Sequence, residues 1–162
     1  MSDKPTVLSA ERRIAVEPAA IWPLLDNVER HREWDDRVRR GETLGESRSP
    51  GGGERRERIH MRPFGVDQEL ELLVVEHEPE RRIAWQTQSA RLASQSVSDL
   101  SQLQRFLLEE EDGATRLRVE LVLRPEGLMQ RATVALVSRR EKGRLDRILE
   151  RIDAIARGAS DT

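Results

Sequence analysis

Residues 127–157, GLMQRATVALVSRREKGRLDRILERIDAIAR, run without a strong helix breaker until Gly158 supplies a stop. At ~1.5 Å per residue the run predicts one C-terminal helix of roughly 45 Å, the only element big enough to cover the apolar face of a long antiparallel sheet. At 100° per residue Leu145, Ile148, Leu149, Ile152 and Ile155 form one stripe. Stepping back by threes and fours carries that stripe through Glu141, Ser138, Val137 and Val134 to Gln130. Glu141 is therefore expected on the inward face. An unpaired buried carboxylate is costly, so it should be neutral, open to cavity water, or paired with an arginine such as Arg12 or Arg105. A second apolar stripe, Leu128, Met129, Ala132, Ala135 and Leu136, is rotated away from the first. It implies either a bend near Gly143 or a second contact made by the front half, with a loop, a partner subunit or a ligand entrance.

The segments upstream supply the sheet. TVLSAERRIAV, 6–16, places Leu8, Ala10, Ile14 and Val16 on one face and ends at Glu17-Pro18, where proline can open a helix. Strands are then expected at 37–44, 55–62, 66–77, 82–88, within 96–111, and at 115–124. Turn residues punctuate them at 47–53 (SRSPGGG), 63–65, Pro79 and Asp112-Gly113. The last strand is the cleanest, with Thr115, Leu117, Val119, Leu121 and Leu123 alternating inward, so the sheet is antiparallel and half buried. Between the first two strands lies IWPLLDNVERHREWDDRV, 21–38. Pro23 limits the first helix there to a short or kinked one. Asp26 or Asn27 can cap a second helix over 28–34, and Trp22 and Trp34 can anchor the pair. The expected fold is α+β: a curved antiparallel sheet of about seven strands around a long C-terminal helix, with two short helices after strand one. A single domain is expected over 1–162, its ordered core about 6–157.

Composition narrows the function. The chain of 162 residues has 36% charged residues and a formal net charge of −2, and no single-sign field suggests nucleic acid. Of its 28 basic residues only Lys4 and Lys142 are lysine, and the arginines are scattered beside acids. Cysteine and tyrosine are absent, which removes thiolate chemistry and the phenol as a proton donor. No apolar run approaches the ~20 residues of a membrane span, and a cytoplasmic location is expected. His31, His60 and His77 carry no HExxH or HxH spacing, so no metal site is expected and each is read as a surface residue. GxSxG, phosphate-loop and dinucleotide fingerprints are also missing, and no cofactor is expected.

The patterns IAVEPAAIWPLLDNVERHREWD at 14–35, RRIAWQT at 81–87 and EEDGATRLRVEL at 110–121, with the long terminal helix, resemble the START-like (SRPBCC) helix-grip superfamily. The resemblance is to its polyketide cyclase/dehydrase and lipid-transport branch and covers roughly 6–157. It implies a cavity between sheet and helix for a hydrophobic molecule such as a lipid, polyketide or quinone. Strand parity assigns candidate ligand-binding residues to that cavity: Gln68, Leu70 and Leu72, then Trp85 and Thr87, then Leu117 and Val119, with Ile59 and Met61 sharing the inward parity. On the strand near 100–108 both faces contain apolar groups, and Gln104 and Phe106 are the candidates there. The helix adds Val134, Ser138, Glu141 and Leu145. Binding of a small hydrophobic ligand without catalysis is the leading expectation, in a monomer or weak homodimer. An enzyme of cyclase, aromatase or dehydratase type is the alternative, with Glu141 and Arg105 as candidate catalytic residues. A third reading is an interaction module using the charged sheet exterior or the Leu128, Met129 and Leu136 patch.

Overall fold

The computed structural model describes residues 4–46, 55–62, 65–92, 95–96, 101–124 and 127–160; the side chains of 127–137, and a few at segment ends, lie outside the description. The chain order is β1 (Thr6–Ile14), α1 (Pro18–Asp26), a 3₁₀ turn (Val28–Arg30), α2 (His31–Trp34), β2 (Val38–Glu46), β3 (Arg55–Met61), β4 (Gln68–Glu78), β5 (Arg82–Leu92), β6 (Gln95–Ser96), β7 (Ser101–Glu111), β8 (Ala114–Arg124) and α3 (Gly127–Ser160). Seven strands run β1-β8-β7-β5-β4-β3-β2, all antiparallel, while two-residue β6 hangs on the end of β5. This is the α+β helix-grip architecture expected above.

Alternation drives the sheet. On β8, Thr115, Leu117, Val119, Leu121 and Leu123 are all buried, and the Thr115 hydroxyl donates to the Val16 carbonyl at 2.8 Å, so the one polar member is satisfied. The Asp112-Gly113 turn holds both residues at positive φ, 50° and 81°, the geometry of a tight two-residue hairpin, and pairs β7 with β8 in continuous register from Glu111–Ala114 to Ser101–Arg124. On β7 the ambiguity of parity is resolved: Phe106 and Leu108 are buried on the concave side with Gln104, and Arg105 projects from the other side. The pairing of β5 with β7 extends over only five residue pairs, from Arg82–Leu107 to Gln86–Leu103. Beyond it, β5 turns to β6, after an irregularity at Gln88 in its ladder with β4.

Against this face α3 lays Leu145, Ile148, Leu149, Ile152 and Ala156, each at most 2% exposed. The helix spans 34 residues and continues through Gly158 to Ser160, because a glycine there with open space around it and no positive φ imposes no stop. The front stripe of Leu128, Met129, Ala132, Ala135 and Leu136 lies outside the described side chains, as does the loop at 47–53.

The segment after β1 divides more finely than the two helices expected. Pro18 opens α1, and Pro23 sits inside it. Asn27, the residue after α1, then caps a 3₁₀ turn through Oδ1, which accepts from the Glu29 amide at 3.0 Å, before one α-turn at 31–34. Trp34 locks the pair: its indole N–H donates to the Leu24 carbonyl at 2.8 Å, and its ring stands edge-on to Phe106. The 3₁₀ turn presses on β2 so closely that a Cβ at Gly41 would come within 2.3 Å of the Val28 carbonyl oxygen.

Candidate functional site

Under the concave face lies a cavity of about 60 Å³ among the described residues. Its apolar wall is Ile59 and Met61 of β3, Leu70 and Leu72 of β4, and Trp85 of β5; Thr87, Gln102 and Gln104 add neutral polar groups; His31, Arg37 and Arg144 supply ionisable ones. Seven of the residues expected from parity meet here: Ile59, Met61, Leu70, Leu72, Trp85, Thr87 and Gln104. Phe106, Leu117, Val119 and Leu145 are instead packed into the core, each 0% exposed. Gln68 lines a separate open recess with Arg39, Arg40, His60 and Arg91. Ser138 is half-buried on α3, and the side chain of Val134 lies outside the description.

Glu141 is indeed tied to arginine, but to neither Arg12 nor Arg105. Arg144, one turn along α3, donates from Nε to Glu141 Oε2 at 2.9 Å and from Nη1 to Asp35 Oδ2 at 3.1 Å, and Arg37 Nη1 donates to Glu141 Oε1 at 3.2 Å. Arg12 is held by Asp153 at 2.6 Å, and Asp153 lies twelve residues, about 18 Å, further along the helix. Arg105, on the outer face, grips Glu76 through Nε and Nη2 at 2.7 and 2.8 Å and reaches Glu120 at 3.6 Å. It stands away from the cavity. Two guanidiniums and two carboxylates thus join the end of α2, the start of β2 and the middle of α3, with Asp35 and Arg144 only 6% and 4% exposed. Burial and the neighbouring Arg144 lower the pKa of Arg37.

His31 is not a surface residue. It is 4% exposed, tilted against Trp34 and edge-on to Trp85 with ring centroids at 4.7 and 5.1 Å, and its Nε2 lies 2.9 Å from the Leu25 carbonyl. A carbonyl only accepts, so Nε2 carries the hydrogen; burial pulls the pKa down to about 4, leaving a neutral ring whose bare Nδ1 is an acceptor. His60 stays on the outer face beside Glu42, and His77 bonds Asp26 Oδ1 at 2.9 Å against the edge of Trp22.

A second inward carboxylate escaped sequence reasoning. Glu57 is 1% exposed behind Trp85, accepting from the indole N–H at 2.7 Å and from Arg55 Nε at 3.0 Å. Burial raises its pKa, opposed by the Arg55 charge and those two hydrogen bonds. The signal was present, since Glu57 shares parity with Ile59 and Met61. Arg144 was equally legible, three residues after Glu141 and four before Ile148.

Residues 5–157 match the sequence model of a family described as polyketide cyclase / dehydrase and lipid transport. No curated protein matches the chain. Among solved structures, a START superfamily protein from Mycobacterium smegmatis is 15% identical, with 94% of this chain and 98% of that one covered and a TM-score of 0.71. The Zhui aromatase/cyclase from Streptomyces sp. R1128 is 14% identical, with 92% and 94% covered and a TM-score of 0.67. The di-domain aromatase/cyclase StfQ of the steffimycin biosynthetic pathway is 13% identical over 99% of this chain and 54% of its own, with a TM-score of 0.74. At these identities the likeness is one of fold.

Proposed function

We propose, from the premise that this chain belongs to the polyketide cyclase/dehydrase and lipid transport family, that it takes up a small hydrophobic molecule in the cavity between sheet and α3. The observation that carries the reading is the lining itself: a continuous apolar wall from β3, β4 and β5 facing a few convergent polar groups. The cavity of about 60 Å³ is far smaller than the roughly 300–1,000 Å³ of a ligand pocket, so a ligand enters by widening it. Leu70, Leu72, Trp85, Thr87 and Gln104 contact the ligand in this reading, and Phe106, Leu117, Val119 and Leu145 form the floor beneath it. Native mass spectrometry of the purified protein, with organic extraction of its passengers, is the test. A stoichiometric lipophilic passenger is expected. An empty protein that also ignores a panel of lipids, quinones and aromatic polyketides overturns the proposal.

Catalysis of cyclase or dehydratase type is a second reading, favoured by one observation: His31 lines the cavity as a neutral imidazole with an unprotonated Nδ1, able to take a proton from carbon next to a carbonyl. It displaces Glu141, whose oxygens are occupied by guanidinium, and Arg105, which faces outward, as the acid/base candidate. The reading expects the α-protons of a bound ketone to exchange in D2O with wild type and not with His31→Gln. Equal, solvent-level exchange with both proteins eliminates it.

A further inference from the structure

The Asp35, Arg37, Glu141 and Arg144 cluster has donors to spare. A guanidinium carries five N–H groups in a fixed fork. Arg144 aligns Nε and Nη1 on acceptors, but its buried Nη2, although 2.8 Å from Glu141 Oε2, makes no aligned hydrogen bond. Arg37 aligns Nη1, while its buried Nε is 4.0 Å from Asp35 Oδ1 and has no hydrogen-bond partner. Buried N–H groups in this state are costly to keep, and both side chains line the cavity.

We infer that the polar end of the cavity is a subsite for an uncharged oxygen acceptor, a ketone, ester or quinone carbonyl, held by the guanidiniums of Arg144 and Arg37. This deepens the hydrophobic-ligand reading above and rests on it. Charge selects the head group. Two arginines face two carboxylates, so the cluster is formally neutral, and the adjoining His31 ring is neutral as well. A ligand carboxylate would bring a third negative charge beside Asp35 and Glu141, with no cation left to offset it. A ligand cation would meet the two guanidiniums. A carbonyl brings two lone pairs and no net charge, which is what unaligned N–H groups in a balanced cluster can use. The remainder of the molecule then lies along Ile59, Leu70 and Leu72, with Thr87 and Gln104 available to a second polar atom.

The test compares 2-decanone, decanoate and decane on the full chain, followed by equilibrium dialysis and by tryptophan fluorescence, to which Trp85 of the cavity lining contributes. The ketone is expected to bind about tenfold more tightly than decane, the effect of one net hydrogen bond, and more tightly than decanoate. Arg144→Lys keeps the charge but loses the fork, and should bring the ketone down to the level of decane measured on the same variant. Arg37→Gln, at a more exposed position, carries the same comparison if the lysine variant does not fold. Equal binding of ketone and decane to wild type overturns the carbonyl subsite and leaves the hydrophobic cavity standing. Tightest binding of decanoate overturns it in favour of an anion site. Failure of all three probes to bind counts against the cavity reading and the subsite together.

Discussion

Replacing Arg144 by Met keeps the length and apolar body of the side chain and deletes the charge, leaving Asp35 and Glu141 to face each other across the inner end of the cluster. Breaking a buried pair from one side costs about 3–5 kcal/mol, because the surviving charge is left in a poor solvent. Arg144 makes aligned bonds to both acids, at 3.1 and 2.9 Å, which argues for the whole of that range. Arg37 argues against it: it remains 3.2 Å from Glu141, and its side chain is 34% exposed, so it can follow the carboxylate toward water. The expected loss is therefore about 3 kcal/mol, of a total that is roughly 5–15 kcal/mol for a domain of this kind. With an m-value of about 2 kcal/mol/M the urea midpoint should fall by about 1.5 M. Adding Asp35→Asn to Arg144→Met removes one stranded charge, while the carboxamide oxygen introduced there can still accept from the Arg37 backbone amide, as Asp35 does at 3.1 Å. The double variant should regain about 1–2 kcal/mol over the single one, a strongly non-additive cycle. A loss below about 1 kcal/mol for Arg144→Met, or two substitutions that simply add, would refute the account of the cluster as one mutually compensating unit.

His31 makes acid stability a second readout. Its folded pKa of about 4 lies below the ~6.5 of an unfolded histidine, so the unfolded chain binds the extra proton, and the stability this group contributes is complete above ~6.5 and is lost as pH falls toward 4. Wild type should lose about 2–3 kcal/mol more than His31→Gln between pH 7 and about 4.5 in chemical denaturation, and parallel pH profiles would contradict a buried neutral ring. At Gly41, alanine would drive a Cβ into the backbone carbonyl of Val28, which only movement of the 3₁₀ turn or of β2 can relieve. Gly41→Ala should cost about 2–3 kcal/mol by thermal or urea unfolding, and a neutral effect would mean that the turn and strand are not pressed together.

The architecture was legible because its signals are periodic. Alternation on β8, the Asp112-Gly113 turn and the stripe from Leu145 to Ile152 are each repeated or redundant, so one misread residue does not change the answer. The bulge in β4 between Val74 and Glu76 shows how parity fails: it reverses the face, sending Glu76 outward to Arg105 and bringing His77 over Trp22. The cavity chemistry is less legible because residue type points the other way. His31 and Glu57 are of types usually exposed, although His31 precedes Trp34 by three and Glu57 shares a face with Ile59. The partners of Glu141 depended on where Arg37 arrives, which is set by the breaks at 27 and 35 and has no period. Phe106, Leu117 and Val119 pack into the filled end of the cup, and alternation alone does not tell that end from the open one.

The short seam between β5 and β7 divides the sheet into two leaves, β1-β8-β7 on one side and β5-β4-β3-β2 on the other, each stitched internally by longer ladders. Trp85 and Gln104 face each other across that seam, and both border the cavity. Opening the leaves like a book lengthens few hydrogen bonds and spares both α3's grip on β1 and the hairpin at Gly113. If the cup takes up a ligand as proposed, this spine is the place where it would widen, and amide exchange along residues 82–86 and 103–107 is the gauge of it.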